Sequence, residues 1–326
     1  MVWVGVIPLG VLAGTWALAG LVRRWLLGRA ILDRPVERSS HRIPTPRGGG
    51  LAVVPVLAAG WLILAALGQA PAGAALAIGA AIGLALLSWL DDLRNLSVGV
   101  RLLGHLAAVA VGLASLPDGS VFQGALPPFL DRVAAALLWV WFVNLFNFMD
   151  GIDGITGVET AAIGVGTAMI AGVTGDSGGM ALALCATAGA AGFLRWNWHP
   201  AKLFLGDVGS VPLGFLLGWL LLDLAIKGLW APALILPLYY LADATLTLAA
   251  RVLRGERFWQ AHSHHFYQRA LGRDGNHAAV ASYVLIGDAI LVASAALALT
   301  FPLPALGLAA LTVAALLAAL ERRARR

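Results

Sequence analysis

The sequence predicts an all-α, polytopic integral membrane protein, and three observations carry that prediction. Of the 326 residues, 60% are hydrophobic and only 12% are charged, against roughly 25% charged in an ordinary soluble domain. Eleven apolar runs follow one another along the chain, each near the ~20 residues that cross a bilayer as a helix. Twenty of the 22 Lys and Arg residues fall in alternate connections between those runs, the asymmetry that marks the cytoplasmic side. This composition excludes disorder and a water-soluble domain. The formal net charge of +5 reports topology and contact with membrane lipid headgroups, so no nucleic-acid partner is expected.

The runs occupy 2–22, 49–68, 73–90, 100–116, 133–149, 156–174, 179–195, 210–226, 229–250, 278–299 and 303–320. The first has no basic segment ahead of it, and Arg23 and Arg24 follow it. It therefore reads as an uncleaved helix with its N-terminus outside, not as a secretory signal. Seven basic residues fill the first cytoplasmic connection, from Arg23 to Arg47. Arg94 and Arg101 lie in the next, Arg195 and Lys202 in a later one, and five arginines between Arg251 and Arg273 in the long one; four close the chain. Only Arg132 and Lys227 fall on the opposite side. The last two runs are separated only by Phe301-Pro302-Leu303-Pro304, so ten spans is the competing count; eleven places the basic tail inside. No internal repeat and no extramembrane domain interrupts this pattern, which describes one domain over 1–326. The single cysteine, Cys185, lies in an apolar run and reads as a packing residue, with no disulfide available to it.

With this topology the unusual polar residues collect at the cytoplasmic face, as a catalyst acting on a cytoplasmic substrate requires. A transporter would place them near the midplane. Asp91-Asp92 ends one apolar run. Two adjacent carboxylates fit a Mg²⁺ site completed by substrate phosphates, or alternatively a solvated helix end. Asp150 and Asp153 stand three residues apart with Asn144 and Asn147 just before them, so a helical continuation sets them side by side; a structural turn is the other reading. Phe204-Leu-Gly-Asp207-Val-Gly-Ser210 is a glycine-punctuated loop entering a helix, suited to phosphate at a helix N-terminus. Asp207 would repel phosphate directly, which argues for a metal between the two charges. Arg42 and Arg47, the latter followed by three glycines, suit either a bound phosphate or anionic lipid. His262, His264 and His265 lack the further ligands of a zinc site. With Arg257 and Arg269 nearby they suit phosphate contact or proton transfer, the alternative being a surface cluster.

Five stretches taken together resemble one family: PTPRGGG (44–50), SWLDDLRNLS (88–97), NLFNFMDGIDGITG (144–157), NWHPAKLFLGDVGS (197–210) and HSHHFYQR (262–269). The chain is thereby similar to the polyprenyl-phosphate N-acetylhexosamine-1-phosphate transferases of the WecA and MraY types. The first and last stretches look more like the branch that initiates O-antigen and related surface glycans than the phospho-N-acetylmuramoyl-pentapeptide branch of peptidoglycan synthesis. The resemblance implies transfer of a sugar-1-phosphate from a UDP-N-acetylhexosamine to undecaprenyl phosphate, with release of UMP. It implies a bacterial cytoplasmic membrane, Mg²⁺ with Mn²⁺ as substitute, and a homodimer as one assembly of the family. By position, Asp207 matches the family's metal-binding aspartate, with Asp91 or Asp92 as companion; Asp91 is otherwise a base or orienting group for the lipid phosphate. Phe204 matches the aromatic that stacks on uracil, and Asn147, Asp150 and Asn197 match the nucleoside pocket, with Asp153 a further substrate-binding candidate. His264, His265 and Arg257 would engage the diphosphate, His262 is a further substrate-binding candidate, and Arg42 and Arg47 are further donor-site candidates.

Two readings of another class stand beside this one, a lipid- or nucleotide-sugar transporter and a non-catalytic scaffold. Three acids inside apolar runs, Asp223, Asp243 and Asp288, are functional candidates by default. Asp243 lies eight residues before Arg251, two turns along one face, and an Asp–Arg structural pair is expected there. Asp223 and Asp288 are expected near helix ends.

Overall fold

The computed structural model describes residues 2–35, 40–41, 43–256, 263–272 and 274–325. All eleven apolar runs are helical. In chain order the long elements are α1 (Val2–Gly28), α2 (Gly50–Ala66), α3 (Ala74–Arg94), α4 (Val98–Ser115), α5 (Pro128–Phe148), α6 (Ile155–Val173), α7 (Ser177–Asn197) and α8 (Asp207–Ile226). The run at 229–250 is divided into α9 (Trp230–Ile235) and α10 (Leu238–Leu253), and the short α11 (Phe266–Arg269) precedes α12 (His277–Leu297) and α13 (Pro302–Ala324). The division falls at Pro237, which has no N–H for the helical ladder and whose ring crowds the preceding turn. Among the described residues nine helices are long and apolar enough to span a bilayer. The difference from eleven runs lies in α2, which stops at 17 residues, and in the divided α9–α10 segment. The only strands among the described residues are β1 (Leu32–Asp33) and β2 (Thr45–Pro46), an antiparallel ribbon pairing Leu32 with Pro46 and Asp33 with Thr45.

α8 is the most enclosed helix, with α6 and α7 next; α1, α4 and α13 form the periphery. Leu9, Leu103 and Leu311 on those outer helices are exposed, which is what a helix apolar all round presents to lipid. Indole N–H groups buried by this packing find acceptors, Trp61 on the Leu182 carbonyl at 3.2 Å and Trp139 on the Phe215 carbonyl at 3.1 Å. Where α2 meets α8, a Cβ on Gly50 would stand 2.3 Å from the Gly209 Cα. Only glycine lets those two helix ends approach so closely, and that approach sets the loop before α2 against the loop before α8.

The up-and-down order brings the carboxyl ends of α3, α5 and α7 and the amino ends of α4, α6, α8 and α12 to one end of the bundle. The contacts show this directly: Asp91 with Arg101, Asn147 with Ser210, Gly154 with Asn197, and Asp153 with His277. At the opposite end Lys227 pairs with Asp223 and Asp176, both within 2.6 Å.

The intramembrane acids correct two expectations. Asp243 does not serve Arg251; its carboxylate accepts from the backbone N–H groups of Phe266 (3.0 Å) and Tyr267 (3.2 Å) and from the Tyr239 hydroxyl (3.2 Å). Arg251 donates to Glu256 at 2.8 Å. Asp288 lies in the interior of α12, buried against Glu159 of α6. Glu159 was not singled out by sequence. Asp223 does sit near a helix end, four residues before Lys227.

Candidate active site

The site is assembled by strapping the loop at 44–50 onto the loop at 203–207. Phe204 N–H donates to the Pro46 carbonyl (2.8 Å), while Gly48 and Gly49 N–H groups donate to the Phe204 carbonyl (3.1 and 2.8 Å). Gly50 N–H reaches the Leu205 carbonyl at 2.9 Å. Gly206, at φ 74°, turns the chain into α8 through a left-handed conformation that favours glycine. Asp207 thereby becomes the first residue of α8, and Arg47 is held over it.

Arg47 Nη2 lies 2.6 Å from Asp207 Oδ1 and 3.0 Å from Asp92 Oδ1. Burial works against the guanidinium charge, but Asp207 and then Asp92 more than offset it, raising the Arg47 pKa above its ordinary value. The adjacent Asp91 points elsewhere, as successive helical residues must, about 100° apart. Its Oδ1 accepts the Leu96 N–H at 2.7 Å and its Oδ2 receives Arg101 at 3.2 Å. The Asp-Asp pair thus serves two neighbourhoods, Asp91 beside α4 and Asp92 beside the Arg47–Asp207 contact.

A polar cavity of about 290 Å³ is lined by Arg47, Asn147, Asp150, Asp153, Asn197, Phe204 and Asp207, all expected from sequence. Asp33, His41, Gln268 and His277 also line it; Asp33, Gln268 and His277 were not singled out from the sequence. Asn197 is committed to the architecture: its carbonyl accepts Gly154 N–H and its amide donates to the Leu203 carbonyl, both at 3.0 Å. Asn147 accepts the Ser210 hydroxyl at 2.6 Å. His41 meets the Phe204 ring edge-on, with centroids 4.9 Å apart.

Asp150 and Asp153, three residues apart, have opposite electrostatic fates. Burial pushes the Asp150 carboxyl up to about 7, against a hydrogen bond from Thr156, with Asp207 adding to the rise. Burial also disfavours charge on Asp153, but His277, His199 and the Ala201 N–H hold its carboxyl below the usual range. His199 Nδ1 is 2.6 Å from Asp153 Oδ2, and Ala201 N–H donates to the same oxygen at 3.0 Å. His277 Nδ1 accepts the Asp153 N–H at 3.1 Å and its Nε2 faces the Ser40 carbonyl at 2.9 Å. Asp153, His199 and His277 are close enough to hold a metal ion. Their direct contacts make them a hydrogen-bonded cluster, and a nitrogen-rich set does not suit a hard cation.

A second, largely apolar cavity of about 400 Å³ lies on the other side of Asp207. Leu102, Leu137, Val140, Trp141, Phe148 and Leu248 line it, and its polar groups are Ser88, Asp91, Arg101, His105, Asn144, Asn147 and Asp207. Asn147 and Asp207 belong to both cavities. The signal for Arg101 and His105 was present in the sequence: two basic side chains one helical turn apart inside an apolar run.

The histidine string does not act as one unit. His264 is exposed near Glu256, at 3.9 Å. His265 is buried with Nδ1 3.3 Å from Asp243 Oδ1. Neither lines the polar cavity, where Gln268 and His277 stand instead. Arg42, Arg257 and His262 lie outside the described residues.

The family model for glycosyl transferase family 4 matches residues 74–225, which include Asp91, Asp92, Asp150, Asp153 and Asp207. A probable undecaprenyl-phosphate N-acetylglucosaminyl 1-phosphate transferase of Bacillus subtilis is 30% identical over 271 residues, 79% of this chain and 74% of that protein. A phospho-N-acetylmuramoyl-pentapeptide-transferase of Heliobacterium modesticaldum is 30% identical over 66% of this chain and 72% of its own length. A decaprenyl-phosphate N-acetylglucosaminephosphotransferase of Mycolicibacterium smegmatis is 31% identical over 63% and 56%. With these relatives and the five sequence stretches gathered at one end of its helical bundle, the chain belongs to the polyprenyl-phosphate N-acetylhexosamine-1-phosphate transferase family of the WecA and MraY types.

Proposed function

We propose that this membrane protein transfers N-acetylhexosamine-1-phosphate from a UDP-N-acetylhexosamine to undecaprenyl phosphate, at the cytoplasmic face of a bacterial inner membrane. The observation that carries the reading is the pair of cavities, one polar and one apolar, sharing Asn147 and Asp207. A water-soluble nucleotide fits the first and an isoprenoid phosphate the second, so their phosphates converge at the shared wall. In the polar cavity Phe204 offers its ring to the base, with His41 against its edge, and Arg47 stands where a diphosphate would lie. In the apolar cavity Arg101 and His105 supply cationic or hydrogen-bonding groups at the depth where an otherwise apolar groove needs them to hold a phosphate.

The chemistry is in-line displacement. An oxygen of the lipid phosphate attacks the sugar-bearing phosphorus of the donor, the bond to the bridging oxygen breaks, and UMP leaves with the electron pair. With the acceptor phosphate dianionic, no proton has to be removed, so no protein base is required, and the lipid phosphate is itself the nucleophile. The protein's task is positioning and charge neutralisation. The residues fit Mg²⁺: Asp92 and Asp207 bring carboxylate oxygens together, and Asp92 Oδ2 is buried without a hydrogen-bond partner among the described residues. An oxygen-only set of this kind suits Mg²⁺, or Mn²⁺ in its place. When bound, the cation supplies Lewis-acid neutralisation of the donor diphosphate. All the groups named come from one chain, and a homodimer is part of the proposed assembly.

Purified protein incubated with undecaprenyl phosphate, Mg²⁺ and a panel of UDP-N-acetylhexosamines, including the muramoyl-pentapeptide donor, should release UMP. UMP from the muramoyl-pentapeptide donor alone would move the chain to the peptidoglycan branch. Movement of donor across sealed vesicles with no UMP formed would make it a transporter.

A further inference from the structure

Arg47 occupies an unusual position for a residue in a nucleotide-sugar site. One of its nitrogens bridges two carboxylates from different helix ends, Asp92 near the end of α3 and Asp207 at the start of α8. Its backbone has little freedom, because the Arg47–Phe204 bridge and the hydrogen bonds of Gly48 and Gly49 fix the loop to Phe204. Its side chain is 39% exposed, in contrast to 9% for Asp92, and it lines the polar cavity. The backbone is thus held and the guanidinium has room to turn. Gly206 keeps that room: a Cβ there would lie 3.3 Å from Arg47 Cγ and 3.4 Å from Asp92 Oδ2.

Charge counting shows the consequence. Asp92 and Asp207 carry two negative charges, and Arg47 already neutralises one through Asp92 Oδ1 and Asp207 Oδ1, which leaves Asp92 Oδ2 without a hydrogen-bond partner among the described residues. A divalent cation placed there with Arg47 unmoved would stand against a guanidinium in a partly buried setting, where like charges repel strongly. A diphosphate offers that guanidinium a better partner, since its planar fork binds phosphate oxygens two at a time. Once Arg47 turns to the diphosphate, both carboxylates are released to the cation.

Building on the reading of Asp92 and Asp207 as the cation site, we propose that Arg47 is a displaceable internal counter-ion. It holds the two carboxylates in place of the divalent cation until the donor diphosphate takes it over, so that cation and donor bind cooperatively. Linkage makes the effect reciprocal: donor tightens cation binding by the same factor that cation tightens donor binding. The loop at 44–50 then couples arrival of the substrate to assembly of the metal site.

The test is Mn²⁺ titration of the purified full-length protein, followed by the loss of free Mn²⁺ signal in electron paramagnetic resonance. It is run with and without UDP-N-acetylglucosamine, and without acceptor so that nothing turns over. The parent protein should bind Mn²⁺ about tenfold more tightly with the donor present, a coupling of ordinary size. R47Q should bind Mn²⁺ about tenfold more tightly than the parent in the absence of donor, and should lose most of the coupling. R47K, which keeps the charge, should stay near the parent. Equal or weaker Mn²⁺ binding by R47Q without donor overturns the proposal, as does a parent protein showing no coupling; the latter needs no variant to fold. D207N separates this from the reading beneath it. If D207N still binds Mn²⁺ as the parent does, the cation site itself is misplaced. If D207N abolishes binding while R47Q is unchanged, only the counter-ion role falls.

Discussion

The polar and apolar cavities touch at Asn147 and Asp207 but are made in different ways. The polar one is built from loops and helix termini: the strap at 44–50, the turn at 150–154, the loop at 203–207 and the first residue of α12. The apolar one is built from the flanks of α3, α4, α5, α8 and α10, with a few polar side chains among leucines and aromatics. Loops and termini can surround a solvated, highly charged ligand because their backbone N–H groups and short side chains are available to it. Helix flanks can surround a hydrocarbon chain because their own backbone is already satisfied. Each cavity therefore suits one partner of a transfer from a nucleotide sugar to a lipid phosphate, and Asp207 at the seam is the charged group both share.

If the seam matters most, D207N should be the most damaging single change. Turnover should fall by roughly 10³-fold or more, with both substrates still bound, as measured by steady-state UMP release. A residual rate within tenfold of the parent would remove Asp207 from the chemistry.

Changes confined to one cavity should divide between the substrates. R101Q should raise KM for undecaprenyl phosphate by about ten- to a hundredfold, the size of a lost charge-assisted contact, and leave the donor KM nearly unchanged. F204A should do the reverse, raising donor KM about tenfold through lost base stacking worth ~1–3 kcal/mol. The assignment of the two cavities fails if either variant moves both constants equally.

A smaller effect separates the two carboxylates of the 150–153 turn. Asp150 is raised to about 7, above its unfolded value near 3.8, so the folded state binds more protons between those limits. Stability contributed by protonated Asp150 is thus present at low pH and lost as pH rises toward 7. Asp153 has the opposite sign: lowered in the folded state, it stabilises the fold above its unfolded pKa, and that contribution is lost as pH falls through its folded value. Thermal unfolding in detergent from pH 4 to 7.5 should show D150N with a flatter loss toward neutrality. D153N should be destabilised most at neutral pH, where the His199 ring and the Ala201 N–H lose a charged acceptor. Parallel pH curves for D150N and the parent would contradict the placement of Asp150.

Much of this architecture was legible in the sequence because it rests on local properties. An apolar run long enough to span forms a helix whatever its neighbours, and the alternation of basic connections gathered the polar motifs at one end. Arg47, Asn147, Asp150, Asp153, Asn197, Phe204 and Asp207 meet in one cavity as their strings implied. What escaped depends on contacts between distant elements. Asp91 and Asp92 are neighbours in sequence, yet their divergence toward Arg101 and Arg47 is decided by which helices flank α3. His277 opens an apolar run and shows no motif of its own, but the meeting of α6 and α12 sets it on Asp153. His264 and His265 read as one cluster, and their separation follows from Asp243 on α10, whose carboxylate holds the backbone of the following turn. Glu159 went unnoticed because nothing within α6 reveals that Asp288 faces it.

The most direct measurement of the central claim uses donor radiolabelled at the sugar-bearing phosphorus, together with undecaprenyl phosphate in reconstituted membranes. The label should pass into the lipid fraction in equal amount to the UMP formed. Label that stays in the aqueous phase while the sugar moves to lipid would show transfer of the sugar without its phosphate, and would contradict that claim.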